Sequence, residues 1–377
     1  MLLALFLALF LALFLALFLA SFSPIILGSQ PQEDVMHHER IIPLERFRAI
    51  LGELDIDHQT YGDAFWMRFA AQATIYHPEE PPVVAQRLYS LADNLHHHVS
   101  WFATAGSSMR YVIAALLLKT NTSLHDFSAE YHRIGDMLDQ VGLRHGGRFE
   151  PLTILILHNA PGHNSFSVLE AERLKAIHRR MKSFHWWLTG IDDLPACAAL
   201  AQIDETAENI AIKTEACYQR LATSGCLKGN HLQTAANLLP LTGLSAEEAC
   251  ERWMSLMELM AMMGEDLRPV HYDALSVLSL LVQPPQLVVD RVIATRRELD
   301  LTHPDLAGDS SLMLAADLTA LDLVRCDTAG AYLSSADGMA MMLQRMHTLT
   351  LATMVQISQV EFDLGAGIGV SSPLAWP

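Results

Sequence analysis

A histidine, two indoles and two carboxylates fall within nine residues at His185-Trp186-Trp187-Leu188-Thr189-Gly190-Ile191-Asp192-Asp193. Gathered at one inter-helix turn, they would line a groove in which Asp192 or Asp193 orients His185 as a general base. The same letters also suit plain packing, with the tryptophans filling a junction and Asp193 capping the next helix. Adjacent acids diverge by about 100° on a helix, which is poor geometry for a carboxylate pair sharing a magnesium ion. A second polar set follows at Asn230, His231 and Gln233, with Asn230 and Gln233 three apart on one helix face. Amides there would read a ligand's polar edge, or would tie a helix to the preceding loop. His271 with Asp273 holds nearly the same place about forty residues on.

Other histidines offer less. His96, His97 and His98 are consecutive and cannot converge on one ion from a helix, which is why helical zinc motifs space their ligands at i, i+4. His158 and His163 flank a turn at Asn159-Ala160-Pro161-Gly162. No metal site and no cofactor are expected. Gly365-Ala366-Gly367-Ile368-Gly369 lacks the βαβ context of a dinucleotide loop. Gly308-Asp309-Ser310-Ser311-Leu312 opens a helix and follows no strand, so it is not a serine-esterase elbow. The methionine stripe Met254, Met257, Met260 and Met263 reads first as core filler and second as an adaptable binding groove.

The elements that must position these groups repeat. Segments 108–119, 149–160, 192–203, 230–241, 270–281 and 310–321 align so that each carries leucine at its ninth place: Leu116, Leu157, Leu200, Leu238, Leu278 and Leu318. The leucines recur at intervals of 41, 43, 38, 40 and 40 residues. Five of the six segments have a small residue two places earlier: Ala114, Ala198, Ala236, Ser276 and Ala316. A period near forty residues predicts stacked helical pairs, each burying its apolar face against its neighbours. The second helices are expected at 82–102, 124–141, 168–182, 207–221, 246–263 and 286–299, with no strand anywhere. Capping boxes at Ser245…Glu248 and Ser123…Asp126 mark helix starts, and Gly190, Gly229, Gly243 and Gly264 mark ends. The expected fold class is all-α: an array of helix-pair repeats of about forty residues, α-solenoid-like, with an apolar N-terminal helix. Its divisions are an apolar segment at 1–35, a linker and first helix at 36–60, the repeats at 61–330, a closing helix at 331–364 and a disordered tail at 365–377.

Residues 1–28 carry no charge, and residues 2–20 are almost a tandem repeat of Leu-Ala-Leu-Phe. About 20 apolar residues suffice to cross a bilayer as a helix. Three readings stand: a start called too early, with Met36 the true one; a membrane anchor; or a cleaved signal, although the basic n-region is missing. Arg40, Arg46 and Arg48 follow the segment and would hold the body in the cytoplasm. The expected location is therefore a cytoplasmic body, tethered to the inner membrane if residues 1–28 are translated. Lys+Arg 25 against Asp+Glu 42 gives a net charge of −17, which argues against nucleic acid as a partner. Five cysteines without a CxxC pair suit a reducing compartment.

Two segments resemble a bacterial family, domain of unknown function 4003. They are Met181-Lys182-Ser183-Phe184-His185-Trp186-Trp187-Leu188-Thr189-Gly190-Ile191-Asp192-Asp193 and Tyr218…Leu221…Gly229-Asn230-His231-Leu232-Gln233. Trp186 stands where the family has proline, and Ala236 where it often has serine, so no role for that hydroxyl transfers. The resemblance spans about residues 169–321 and implies an all-helical protein with no activity to inherit. Two functions are therefore expected in order. The first is a binding scaffold whose repeat-lined groove (Trp186, Trp187, Asn230, His231, Gln233, His271) holds a protein, a peptide or a second copy of the chain. The alternative is an enzyme with an inter-repeat pocket, in which His185, Asp192 and Asp193, with His163 or His231, move protons.

Overall fold

A computed structural model describes residues 42–54, 61–98, 109–143, 149–160, 166–303, 309–331 and 336–367. The apolar segment 1–35 with its expected helix, the Met36 start, His163 and residues 368–377 lie outside them. Among the described residues there are fifteen α-helices, three short 3-10 turns and no strand. In chain order the helices are α1 (Pro43–Glu53), α2 (Tyr61–Ala73), α3 (Pro81–His98), α4 (Met109–Lys119) and α5 (Leu124–Gln140). Next come α6 (Phe149–His158), α7 (Val168–Phe184), α8 (Leu194–Leu200), α9 (Ala207–Thr223) and α10 (Asn230–Leu238). The last five are α11 (Ala246–Met262), α12 (Tyr272–Ser279), α13 (Pro285–Thr302), α14 (Asp309–Ala331) and α15 (Ala336–Gly367). All contribute to one connected apolar core.

Sequence pattern separates two kinds of helix. α4, α6, α8 and α12 are largely apolar, α10 is buried from Leu232 to Leu238 although it carries Gln233, Thr234 and Asn237, and every residue of α8 is buried. A helix apolar on every side must be enclosed by neighbours. α5, α7, α9, α11 and α13 are amphipathic; in α7 the buried set is Ala171, Leu174, Ile177, His178 and Met181, one stripe of a 3.6-residue helix. The two kinds pack in parallel series, α6–α8–α10–α12–α14 and α5–α7–α9–α11–α13. The six repeated leucines are all buried, as are the five small residues before them. Ser276 illustrates why small matters: its hydroxyl reaches the carbonyl of Ala235 on the neighbouring α10 at 3.1 Å.

Helix ends follow the expected chemistry where it is local. Ser245 and Glu248 form the reciprocal capping box, at 3.2 and 3.0 Å. Ser123 accepts from the N–H of Asp126 at 3.1 Å. Gly264, just past the end of α11, has φ +90°, the left-handed conformation that favours glycine. Gly190 differs from the expectation: its backbone is extended, and it does not end a helix in the left-handed manner.

A device absent from the sequence reading recurs four times. An arginine on one amphipathic helix donates to the carbonyl just before the N-cap of the next. Arg133 on α5 reaches Phe166 O at 2.6 Å, Arg173 on α7 reaches Glu205 O at 2.5 Å, and Arg252 on α11 reaches Gln283 O at 2.6 Å. Arg46 on α1 holds Glu79 O in the same way. Arg173 also takes Ala201 O at 2.9 Å. Each guanidinium so fastens the loop that returns the chain from an apolar helix to the next amphipathic one.

Two features depart from an open array with an accessible inner groove. First, the opening helices meet the closing ones. Arg48 on α1 donates to Glu298 and Thr302 on α13 at 2.8 and 2.7 Å, and Gln72 on α2 donates to Asp317 on α14 at 2.9 Å. The Tyr76 hydroxyl donates to Leu321 O at 2.9 Å. Second, α15 packs on α6, α8, α10, α12 and α14, the helices that would line such a groove. Leu349, Leu351, Ala352, Met354, Val355, Gln356 and Ile357 of α15 are all buried. The apolar faces of the inner series explain this: left open to water, they would each forfeit about 1.5–3 kcal/mol per large side chain. No helix among the described residues is long and apolar enough to cross a membrane.

Candidate functional site

The C-terminus of α7 carries the first cluster. α7 ends at Phe184, His185 is its C-cap, and a tight turn leads through Thr189 and Gly190 to the 3-10 turn Ile191–Asp193 and α8. The turn is fixed from both sides. His178 on α7 hydrogen-bonds Gly190 O at 3.0 Å, and the Gly190 N–H donates to Asp193 Oδ2 at 3.0 Å. Asp193 therefore reaches back to the turn and does not cap α8 with its side chain, as had been expected.

His185 finds its carboxylate elsewhere. Its Nε2 lies 2.6 Å from Glu215 Oε2 on α9, and Gln219 donates to the other oxygen of Glu215 at 2.7 Å. Neither Asp192 nor Asp193 takes the expected role of orienting His185. The His185 ring sits 4.2 Å from the Tyr218 ring and meets Trp187 edge-on at 5.9 Å. Nothing in the spacing pointed to Glu215, which is thirty residues away on another helix; the one available signal was its position three before Tyr218. The tryptophans do not fill a junction: Trp186 is 72% exposed and Trp187 63% exposed, with the rings edge-to-face at 5.8 Å.

Gln233 and Asn237, one turn apart on α10, complete the arrangement. Gln233 Nε2 donates to Thr189 Oγ1 and to Asp193 Oδ1, both at 3.1 Å, and Asn237 Nδ2 donates to Asp193 Oδ1 at 3.3 Å. With both amide nitrogens directed at Asp193, the carbonyl oxygens Gln233 Oε1 and Asn237 Oδ1 are buried and lack a hydrogen-bond partner, as does His185 Nδ1. These three residues, with Glu215, Tyr218 and Thr189, are among those that line a small cleft. Its internal volume is about 10 Å3, room for one water-sized group. Burial pushes the Asp193 carboxyl up to about 8, and the neighbouring Asp192 carboxylate adds to the shift. The N–H of Gly190 and the amides of Gln233 and Asn237 pull it back. Burial likewise raises Asp192.

The remaining expected groove residues separate. His271 is buried, and its Nδ1 accepts the N–H of Arg268 at 3.1 Å, the same reach-back that Asp193 makes at the equivalent position two repeats earlier. Burial first, then the Arg268 charge, lower its pKa to about 4. Glu150 and Ser311 hold the same place in their segments, accepting from Tyr131 at 2.7 Å and from Arg296 at 3.3 Å. These groups anchor helix starts instead of lining an edge. Asn230 and His231 are half-buried at the start of α10. In the methionine stripe Met254 and Met257 are half-buried, Met260 is buried and Met263, at the C-cap of α11, is exposed. His158 lies 3.7 Å from Glu130. No cluster of three or more His, Cys, Asp or Glu side chains able to hold a metal occurs among the described residues.

Fold and site thus define an all-helical protein with a small cleft at the end of α7, where the lining residue His185 meets one of two exposed tryptophans. The chain belongs to the family described as "Protein of unknown function (DUF4003)", whose model matches residues 57–359, a longer stretch than the resemblance read at 169–321. It is also similar to "Uncharacterized protein YeaA" of Bacillus subtilis (strain 168), 24% identical over 212 residues. That match covers 53% of this chain and 60% of the relative. No solved structure matches the chain.

Proposed function

We propose that the protein is a binding module whose recognition surface is the rim at the α7–α8 turn, centred on Trp186 and Trp187. The observation that carries this is two adjacent tryptophans, both more than half exposed, on the turn that follows the cleft-lining residue His185. Phe184 and Ile191 are exposed on the same turn. Exposed clustered apolar surface marks interaction sites, and tryptophan is over-represented among residues that dominate binding energy. The rim replaces the inter-repeat groove as the binding surface because α15 covers the helices that would have lined that groove. In this reading the helical pairs form a closed ring around α15, held by Arg48–Glu298 and Gln72–Asp317. The ring serves to hold the rim rigid.

The test is recovery of a partner from the native organism, followed by binding of purified partner to purified full-length protein. The double variant Trp186→Ala/Trp187→Ala should lose at least a hundredfold in affinity. Unchanged affinity would remove the rim from consideration.

The His185–Glu215 pair favours a second reading as an acid–base site, since the two are within hydrogen-bond reach. The cleft offers no free nucleophile: Thr214 donates to Ile210 O, and Thr189 accepts from Gln233. The binding reading accounts for more of what is there.

A further inference from the structure

The end of α7 carries charge as well as aromatic surface. Arg179, Arg180 and Lys182 are all exposed, on the stretch that runs directly into Phe184 and the tryptophan turn. This is the densest group of cations in a chain whose net charge is −17. Arg180 pairs with Glu208 on α9. The side chains of Arg179 and Lys182 make no ion pair or hydrogen bond among the described residues. Three apart on the helix, they share one face. Acids nearby are engaged or drawn in: Glu215 holds His185, Asp193 is buried and Asp192 is half-buried. Glu172, the exposed acid of α7, stands two turns back from Arg179. Phe184, Trp186, Trp187 and Ile191 are all open to water on the same turn. The cleft that His185 lines is water-sized and too small to seat a partner's side chain.

We infer that this rim docks onto an anionic lipid surface, with Trp186 and Trp187 entering the headgroup layer and Arg179 and Lys182 meeting lipid phosphates. This rests on the reading of the rim as a binding surface and names what it binds. Indole is favoured at a membrane–water interface, which accommodates both its apolar body and its N–H. Basic side chains add attraction to anionic headgroups, and at physiological salt that attraction acts within a Debye length of about 8 Å. Acids beyond that distance are screened, so the local cations, not the net charge, govern contact at this edge. A protein partner's anchor would need a pocket to fill, whereas a deformable lipid surface needs none. Two unpaired cations are too few to hold a nucleic acid, whose affinity grows with each phosphate neutralised. Docking of this kind requires no membrane-crossing helix.

The test is co-sedimentation of the full-length protein with vesicles of phosphatidylcholine alone, and of phosphatidylcholine with phosphatidylglycerol, at low and high salt. At low salt the unaltered protein should partition about tenfold more strongly onto the anionic vesicles, and high salt should reduce the difference. Arg179→Gln/Lys182→Gln should remove most of that preference. Trp186→Ala/Trp187→Ala should lower binding to both vesicle types about tenfold. Every variant retains residues 1–28, so the differences report the rim and not the apolar segment. The single variants Trp186→Ala and Lys182→Gln keep the test open if a double variant does not fold. Equal sedimentation of the unaltered protein and the variants, or no sedimentation at all, would overturn the lipid surface as partner. The rim reading is then judged separately: it survives, with a protein as its partner, if the tryptophan double variant loses the recovered partner.

Discussion

Asp193 shows how one side chain carries several consequences. Its carboxyl titrates at about 8 in the fold against 3.8 unperturbed, so the folded state holds the proton more tightly than the unfolded chain. The contribution of Asp193 to stability should be full below about pH 4, decline as pH rises, and be lost above about pH 8. Asp193→Asn cannot ionise and keeps an acceptor for Gly190, so its melting temperature should match the parent near pH 4 and exceed it at pH 9. Thermal unfolding at the two pH values measures this; a variant less stable at pH 9 would contradict it. Trp186→Ala/Trp187→Ala should move stability by less than about 1 kcal/mol in denaturant titration, because exposed side chains contribute little to folding. Sequence alone singled out His185, Trp186, Trp187, Asp193 and Gln233 as a polar and aromatic concentration. It could not say which were exposed, and it missed Glu215 altogether, because hydrogen-bond partners thirty residues apart leave no local spacing to read.

At the scale of elements, the apolar helices and the amphipathic helices were legible from their periodicity and caps, which act within a turn or two of the chain. The arginine fastenings were not. Each pairs a side chain with a backbone carbonyl about thirty residues on, and a carbonyl is present at every residue, so no letter marks the acceptor. Arg173 makes the largest claim, holding Ala201 O, Ile203 O and Glu205 O together. Arg173→Ala should destabilise the protein by about 3 kcal/mol, the scale of hydrogen bonds made by a charged group. Arg173→Lys should recover only part, since one ammonium cannot span three carbonyls in the fork that a guanidinium presents. Denaturant midpoints for the pair test both statements. A loss below 0.5 kcal/mol for the alanine variant would mean that loop and helix hold without the fastening. On the inner series, Leu238→Ala should cost about 2–5 kcal/mol, because Leu238 is fully buried between α8 and α12.

For the whole unit, α15 is the element on which the others depend. It touches five inner helices, and Leu349, Leu351, Ala352 and 354–357 in its middle are buried. Deleting Ala336 onward should leave a chain with near-native helix content that binds a hydrophobic dye and unfolds without a sharp transition, because the inner faces lose their cover. A cooperative, dye-negative truncated protein would show that the inner series is self-sufficient. The seam between the opening and closing helices should be sensitive to pH for a related reason. Burial pushes Asp317 up to about 7, with the Gln72 amide pulling it back, so ionising Asp317 at higher pH weakens the seam that a neutral carboxyl tolerates.

What the sequence determined by itself was class and grain. An all-helical chain with a forty-residue rhythm, its helix starts and its buried leucines follow from periodicity and capping, which depend on neighbours close along the chain. Tertiary structure decided which faces remain available. Whether a groove between repeats is open depends on where α15 lies, and whether His185 meets a carboxylate depends on how α7 packs against α9. Those outcomes are set by contacts between residues far apart in sequence, where burying apolar surface, and not local pattern, chooses the partner.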